Sequence, residues 1–129
     1  KFYAKSIKLL NKHIKNKDKV IAVTSGLRNI VNPFKKDLKL DDVIGTEVGS
    51  KNGIFNGHVR LLPIGKNRAK FVTSYCKSNK INIMDSYAYS DHYSDIPMLS
   101  IIGNPVAINP DKKLEQYAKK NSWKIIRFK

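Results

Sequence analysis

Apolar and polar residues alternate along the first third of the chain in a pattern that predicts two helices around one strand. Apolar residues recur at helical spacing in residues 2–16, which predicts an amphipathic helix. The wholly apolar run 20–23 is typical of a strand buried on both faces. Thr24-Ser25-Gly26 is predicted to be a small-residue turn that opens a second helix. That helix is expected to extend to about Phe34, with Asn32-Pro33 distorting its end.

The rest of the chain continues the alternation of strands and helices. In order, the pattern predicts a hairpin of residues 43–48 and 54–61, a helix over 68–78, a strand over 86–89, a helix capped by Ser94 and closed by Gly103, a strand over 106–108, a helix over 111–121 and an edge strand over 123–128. This order indicates an α/β fold with a mostly parallel sheet. We predict that residues 1–129 form a single domain, because this length suffices for one compact core.

Composition and charge narrow the class of protein. The chain contains no stretch near the roughly 18 to 20 continuous apolar residues of a membrane span, and we expect no membrane span. Cys76 is the only cysteine, which favours a reducing, cytoplasmic location. The net charge of +15 makes nucleic acid a candidate partner. However, the excess is mostly lysine spread over every segment, with only four arginines, so a solvated basic surface is favoured over specific nucleic-acid binding.

Polar side chains follow the predicted strands at the edge where open α/β sheets bind ligands. The hydroxyl and backbone N–H groups of Thr24, Ser25 and Gly26, at a helix start, are candidates for binding an anion. Asp91 and Asp95 follow the strand over 86–89, and two carboxylates at this position suit Mg²⁺. The alternative for Asp95 is that it only complements the dipole of its own helix.

A lysine near the start of the helix over 68–78 would be placed to neutralise phosphate charge. Lys70 is the candidate, and Lys66 competes for the same role. His13, His58 and His92 are interpreted as solvated residues. Because the sequence has neither GxGxxG nor GxxxxGK[ST], dinucleotide-binding and P-loop sites are excluded.

The order of these motifs resembles the haloacid-dehalogenase superfamily. The segments VTSGLRNIVNPF, AYSDHYSDIPMLSIIGNPVAINPD and LEQYAKKNSWKII are similar to the phosphoserine-phosphatase-like branch, subfamily IB, from about Lys19 onward. The resemblance implies a Rossmann-like core with a mostly parallel sheet and a β-hairpin. It also implies Mg²⁺-dependent hydrolysis of a small phosphorylated substrate through an aspartyl-phosphate, chemistry that rests on positioning and charge neutralisation.

The same resemblance implies roles for individual residues. Thr24, helped by Ser25 and Gly26, would bind the phosphoryl oxygens, and Lys70 would neutralise the charge of phosphate and nucleophile together. Asp91 would bind Mg²⁺, while Asp95 would bind the metal or orient its ligands. Ser94 falls where some relatives place a residue that contacts phosphate.

The chain departs from the family pattern at its N-terminus. The first motif, DxDx[TV] after an apolar strand, and the helical cap are both missing, and neither Asp41-Asp42 nor Asp85 replaces that motif. Residues 1–17 resemble the helix that returns from the cap. We therefore expect a fragment that is inactive alone and is completed by an N-terminal segment of the same protein or by a self-partner. The alternatives are a non-catalytic remnant that acts as a binding protein and, less favoured, a nucleic-acid binder.

Overall fold

The structure is a computed structural model that describes residues 4–128, with Phe55 described by its backbone alone. The chain divides into two compact units, Lys1–Pro63 and Ile64–Lys129. That all 129 residues form a single domain stays a prediction. In the part of the chain that is described, no helix is long and apolar enough to cross a membrane.

The first unit combines three short helices with one sheet. In chain order its elements are α1 (Ala4–Lys15), β1 (Ile21–Leu27), α2 (Arg28–Val31), α3 (Phe34–Asp37), β2 (Asp42–Lys51) and β3 (Ile54–Leu61). The sheet order is β1-β2-β3, with β1 parallel to β2 and β2 antiparallel to β3. Positions 2 and 3 of the first predicted helix lie outside the described residues.

The predicted turn at Thr24-Ser25-Gly26 is wrong, because these residues belong to β1. The ladder is regular from Ile21 to Val23, is interrupted, and resumes where Leu27 pairs with Thr46. The Thr46 hydroxyl donates to the Ser25 carbonyl at 2.6 Å, so the irregular stretch is held against β2. The following helix starts at Arg28 and is only four residues long.

The other predicted irregularities of this unit are present. Asn32-Pro33 separates α2 from α3, as expected where proline cannot donate a backbone hydrogen bond. The hairpin turns at Asn52 and Gly53, whose φ angles are 54° and 77°. Two successive positive φ angles suit a tight two-residue hairpin turn, so the turn is shorter than the five residues predicted.

The second unit is a parallel sheet with helices. Its elements are α4 (Gly65–Ser78), β4 (Tyr87–Ser90), α5 (Ile96–Ile101), β5 (Asn104–Ile108), α6 (Lys112–Lys120) and β6 (Lys124–Ile126), with 3-10 turns at Ile83–Asp85 and Tyr93–Asp95. The sheet order is β4-β5-β6, and both pairings are parallel. Three of the four strand pairings described are therefore parallel, which agrees with the predicted α/β class.

Most of the described core belongs to the second unit. Leu99, Ala107 and Leu114 are fully buried there, whereas the buried apolar side chains described in the first unit are Val43 and Pro63. Gly103 follows α5 where a Cβ atom would collide with the Met84 carbonyl oxygen, so this close approach requires glycine. The second unit thus has a conventional packed core, and the first has little.

The predicted cap at Ser94 is wrong. The 3-10 turn over Tyr93–Asp95 is capped by His92, whose side chain accepts a hydrogen bond from the Ser94 backbone N–H, and Asp95 occupies the N-cap position of α5. The Ser94 backbone N–H therefore donates to the capping side chain of His92, because a 3-10 turn precedes the α-helix. α4 begins at Gly65, three residues before its predicted start at Arg68.

Candidate functional site

The loop Ser90–Asp95 leaves the carboxyl end of β4 and carries both predicted metal ligands. Asp91 is exposed directly after the strand, and among residues 4–128 nothing is bonded to its carboxylate. Its backbone is fixed, since its carbonyl accepts a hydrogen bond from the Asp111 N–H at 2.8 Å. Asp91 thus presents a carboxylate from a position held by the backbone.

Asp95 is buried, and both of its carboxylate oxygens are bonded. The Ser90 hydroxyl donates to one oxygen, and a guanidinium N–H of Arg68 on α4 donates to the other. The side chains of Arg68 and Asp95 are only 12% and 10% exposed. Because a buried carboxylate is costly unless it is paired and hydrogen-bonded, these two partners offset the cost of burying the Asp95 side chain. The arrangement suits an orienting role for Asp95.

Arg68 was not among the predicted site residues. It is one of only four arginines, and it lies on the helix that was expected to supply a cation. Lysine was sought there as a phosphate ligand, whereas a buried carboxylate is matched better by the planar, multiply donating guanidinium. The scarcity of arginine in a lysine-rich chain was the signal that could have identified it.

Asp111 is a second residue that the analysis missed as a site component. Its carboxylate accepts the Leu114 N–H at 2.8 Å, which caps α6, and the Tyr93 N–H at 2.7 Å. The bond from Leu114 lowers the pKa of Asp111 below its ordinary value, and the bond from Tyr93 and the nearby His92 lower it further. One carboxylate therefore ties the loop Ser90–Asp95 to the start of α6.

The predicted substrate ligand Ser94 lies in the same loop. Its hydroxyl is 2.8 Å from Nδ1 of His92, and its backbone N–H donates to the same nitrogen at 3.2 Å. His92 is mostly exposed, as expected for a solvated histidine. A phosphate contact by the Ser94 hydroxyl stays a prediction.

The two competing lysines lie on α4. Lys66 is in its first turn and Lys70 in its second, and both are exposed. Residues four apart share a face of a helix, whereas residues two apart do not. Lys66 and Lys70 therefore share one face of α4, and Arg68, which bonds to Asp95, projects from another. Lys70 as the phosphate-neutralising residue stays a prediction.

The predicted phosphate-binding residues belong to β1 of the first unit. The Gly26 N–H donates to the Thr24 hydroxyl oxygen at 3.0 Å. This is a local turn in which a Ser or Thr side chain bonds to the backbone two residues later. A phosphoryl oxygen would have to replace Thr24 as the acceptor at this N–H. Because α2 is four residues long and starts after Leu27, its dipole contributes less than predicted. Ser25 is exposed.

These side chains fit Mg²⁺ as an incomplete set of ligands. The part of the chain that is described contains no cluster of three or more His, Cys, Asp or Glu residues able to hold a metal ion. Mg²⁺, however, commonly takes one or two carboxylates and completes its shell with water and substrate phosphate. The exposed carboxylate of Asp91, in the same loop as an Asp95 whose two oxygens each accept a hydrogen bond, meets that requirement in part.

Comparisons with known proteins identify the family. The model for haloacid dehalogenase-like hydrolases matches residues 1–100. An "inhibition of morphological differentiation protein" of Streptomyces azureus is 35% identical and covers 90% of this chain, which spans 42% of that protein. A phosphoserine phosphatase of Mycobacterium tuberculosis is 34% identical over 94% of this chain and 40% of its own length. The chain thus spans about two fifths of these relatives.

A solved structure extends the comparison to the fold. A protein of unknown function from Bordetella pertussis superposes with a TM-score of 0.85 at 22% identity, covering 93% of this chain and 56% of that one. The predicted Rossmann-like α/β class is confirmed by this likeness together with the parallel pairings. From the match over residues 1–100, the chain belongs to the haloacid dehalogenase-like hydrolase family.

Proposed function

We propose that this chain supplies the phosphate-binding and metal-binding residues of a Mg²⁺-dependent phosphatase that hydrolyses phosphomonoesters through an aspartyl-phosphate. The observation that carries the proposal is the loop Ser90–Asp95. In this loop Asp91, which follows the end of a parallel strand, has an exposed carboxylate, and Asp95 is buried with a hydrogen bond to each carboxylate oxygen. Relatives named as phosphatases support the reaction class.

The metal would bring positive charge to the transferring phosphoryl group. Asp91 would bind it, and Asp95 would act through its bonds to Ser90 and Arg68, which fix the carboxyl end of the loop. Holding both aspartates before substrate arrives avoids reorganising them during the reaction. The rigidity of this loop is therefore part of the proposed chemistry.

The phosphoryl oxygens would be bound by Thr24, Ser25 and Gly26, with a lysine of α4 neutralising charge. The Thr24 hydroxyl can donate to a phosphoryl oxygen, and the Gly26 N–H becomes available when Thr24 turns away from it. Lys70 is the proposed lysine and Lys66 the competitor.

The nucleophilic aspartate would come from an N-terminal segment of the longer protein or from a second copy. Within the described residues, β1 pairs only with β2, and β4 pairs only with β5. Each therefore has an edge whose backbone groups can pair with a further strand. Phosphoserine is the proposed substrate, following the relative of that name.

The test is hydrolysis of p-nitrophenyl phosphate and of phosphoserine, with and without Mg²⁺, by this chain and by the longer protein that contains it. We expect Mg²⁺-dependent phosphate release by the longer protein and none above background by the 129 residues. A Thr24→Ala variant of the longer protein should lose most of its activity. Equal activity of the two proteins would refute the assignment of the nucleophile, and inactivity of both would refute the phosphatase.

A further inference from the structure

A polar pocket adjoins the predicted phosphate-binding residues in the first unit. It has a volume of about 390 Å³, within the usual range for small-molecule sites, and its lining includes Arg28, Asn29, Asn32, Glu47 and Arg60. Thr46 lines the pocket, and its hydroxyl donates to the Ser25 carbonyl at 2.6 Å. One hydrogen bond thus joins a wall of the pocket to the segment Thr24–Gly26.

The charges in the pocket are unequally compensated. Arg28 donates to Glu47 at 2.8 Å and is 3.4 Å from Asp42, so two carboxylates share its charge. Arg60 comes from the exposed end of β3, and within residues 4–128 it has no carboxylate partner. The pocket therefore offers one uncompensated guanidinium, surrounded by amide and hydroxyl groups.

We propose that this pocket binds a carboxylate on the leaving alcohol of the substrate, with Arg60 as the residue that recognises it. The inference rests on the proposed function, because the pocket adjoins the segment Thr24–Gly26 that would bind the phosphoryl group. An arginine fork matches a carboxylate with two parallel hydrogen bonds. Asn29 and Asn32 have donors and acceptors suited to the remaining polar groups of a small hydroxy or amino acid.

The structure of the first unit accounts for the position of Arg28 in this pocket. Gly45 on β2 lies where a Cβ atom would be 3.0 Å from the Arg28 Cα and 3.1 Å from the Gly26 carbonyl oxygen. The absence of a side chain at Gly45 therefore lets the end of β1 approach β2 closely. This approach places the Arg28 guanidinium in contact with the Glu47 carboxylate. Arg60, which has no carboxylate partner among the described residues, is then the arginine of the pocket that can bind an anionic ligand.

Phosphoserine and phosphoethanolamine form a matched pair of probes, since both have the phosphate and the ammonium group and only phosphoserine has the carboxylate. We expect the longer protein that contains this chain to prefer phosphoserine in kcat/KM. In Arg60→Gln, kcat/KM for phosphoserine should fall about tenfold, the usual scale for losing a hydrogen bond to a charged group. Activity on phosphoethanolamine should stay within about twofold.

His58→Gln is the matched control, because His58 is exposed on the same strand, two residues from Arg60, and does not line the pocket. It should leave both substrates unaffected. An equal loss on both substrates in Arg60→Gln, no loss on either, or no preference in the wild-type protein would overturn the inference.

Calorimetric binding of the same two compounds separates this inference from the proposed function. If neither compound is hydrolysed, the phosphatase is refuted, but tighter binding of phosphoserine that disappears in Arg60→Gln would still support the pocket. Equal affinity for both compounds, or no binding of either, would overturn it.

Discussion

Asp95 and Arg68 form an ion pair between two largely buried side chains of the second unit. Removing one partner of a buried ion pair leaves the other charge without compensation, which costs about 3 to 5 kcal/mol in typical cases. We expect Arg68→Ala to lower the free energy of unfolding by an amount near the lower end of that range, measured by urea denaturation. Arg68→Lys should recover part of it, since lysine keeps the charge but not the planar fork.

Lys77→Ala is the control for Arg68, because Lys77 is exposed on the same helix. Its effect should stay within about 0.5 kcal/mol. If Arg68→Ala is as mild as Lys77→Ala, the bond between Arg68 and Asp95 does not stabilise the fold.

The two lysines of α4 can be distinguished by substitution. In the longer protein, Lys70→Ala should lower kcat by about a hundredfold or more, because a cation that offsets charge on the phosphoryl group acts mainly in the transition state. Lys66→Ala should then have little effect. The reverse result would transfer the role to Lys66, whose place in the first turn of α4 makes it the natural alternative.

At the scale of elements, Asp111 links a loop to a helix. Asp111→Ala removes the cap of α6 and the acceptor of the Tyr93 N–H, so we expect a loss of about 1 to 2 kcal/mol in unfolding free energy. Asp111→Asn keeps an acceptor and should cost less. Equal stability of the wild type and Asp111→Ala would contradict this role.

The effect of Asp111 should also depend on pH. Folding lowers the pKa of Asp111. The ionised carboxylate therefore stabilises the folded protein fully at pH values above the pKa of the unfolded chain, which is about 4. This contribution is lost as the pH falls through the pKa of the folded state. The difference in melting temperature between the wild type and Asp111→Asn should therefore be present at pH 7 and shrink below pH 4. A difference that grows toward low pH would contradict the direction of the shift.

Periodicity predicted the elements well where local sequence decides the structure. The hairpin at Asn52-Gly53 and the break at Asn32-Pro33 are set by residues whose backbone preferences act locally. Thr24-Ser25-Gly26 was predicted as a turn because small residues favour turns. The stretch does not pair regularly with β2, but the Thr46 hydroxyl bonds to the Ser25 carbonyl and the ladder resumes at Leu27, so it stays part of the strand.

The candidate site was predicted only in part, for a related reason. The positions of Asp91 and Asp95 follow from strand ends, which the pattern of residues reveals. Arg68 and Asp111 act through contacts made 27 and 18 residues away along the chain, and no local pattern encodes such contacts. The sequence thus indicated the two candidate ligands but not the residues that contact them.

At the scale of the molecule, the two units differ in how well they are packed. Val43 and Pro63 are the buried apolar side chains described in the first unit, and α1 buries none of its described side chains. Ile30, Phe34 and Ile54 are exposed there. We expect amides of β1 and β2 in this chain alone to exchange with deuterium faster than amides of β4 and β5.

The same amides provide a test of completion by another segment. In the longer protein, a strand added at the edge of β1 should slow exchange in β1 by at least about tenfold, because pairing protects backbone N–H groups from solvent. Equal protection of the two units in this chain alone would contradict the account of the first unit.

Activation of the longer protein by Mg²⁺ is the test of the proposal that Asp91 binds the metal of a phosphatase. Phosphate release from phosphoserine would be measured against Mg²⁺ concentration for the wild type and for Asp91→Asn, with Asp85→Asn, an exposed aspartate of the same unit, as the control. The account predicts that Asp91→Asn reduces release at least about a hundredfold or raises the Mg²⁺ requirement by a similar factor, while Asp85→Asn behaves as wild type. Release that is unchanged in Asp91→Asn, or that persists in excess chelator, would contradict it.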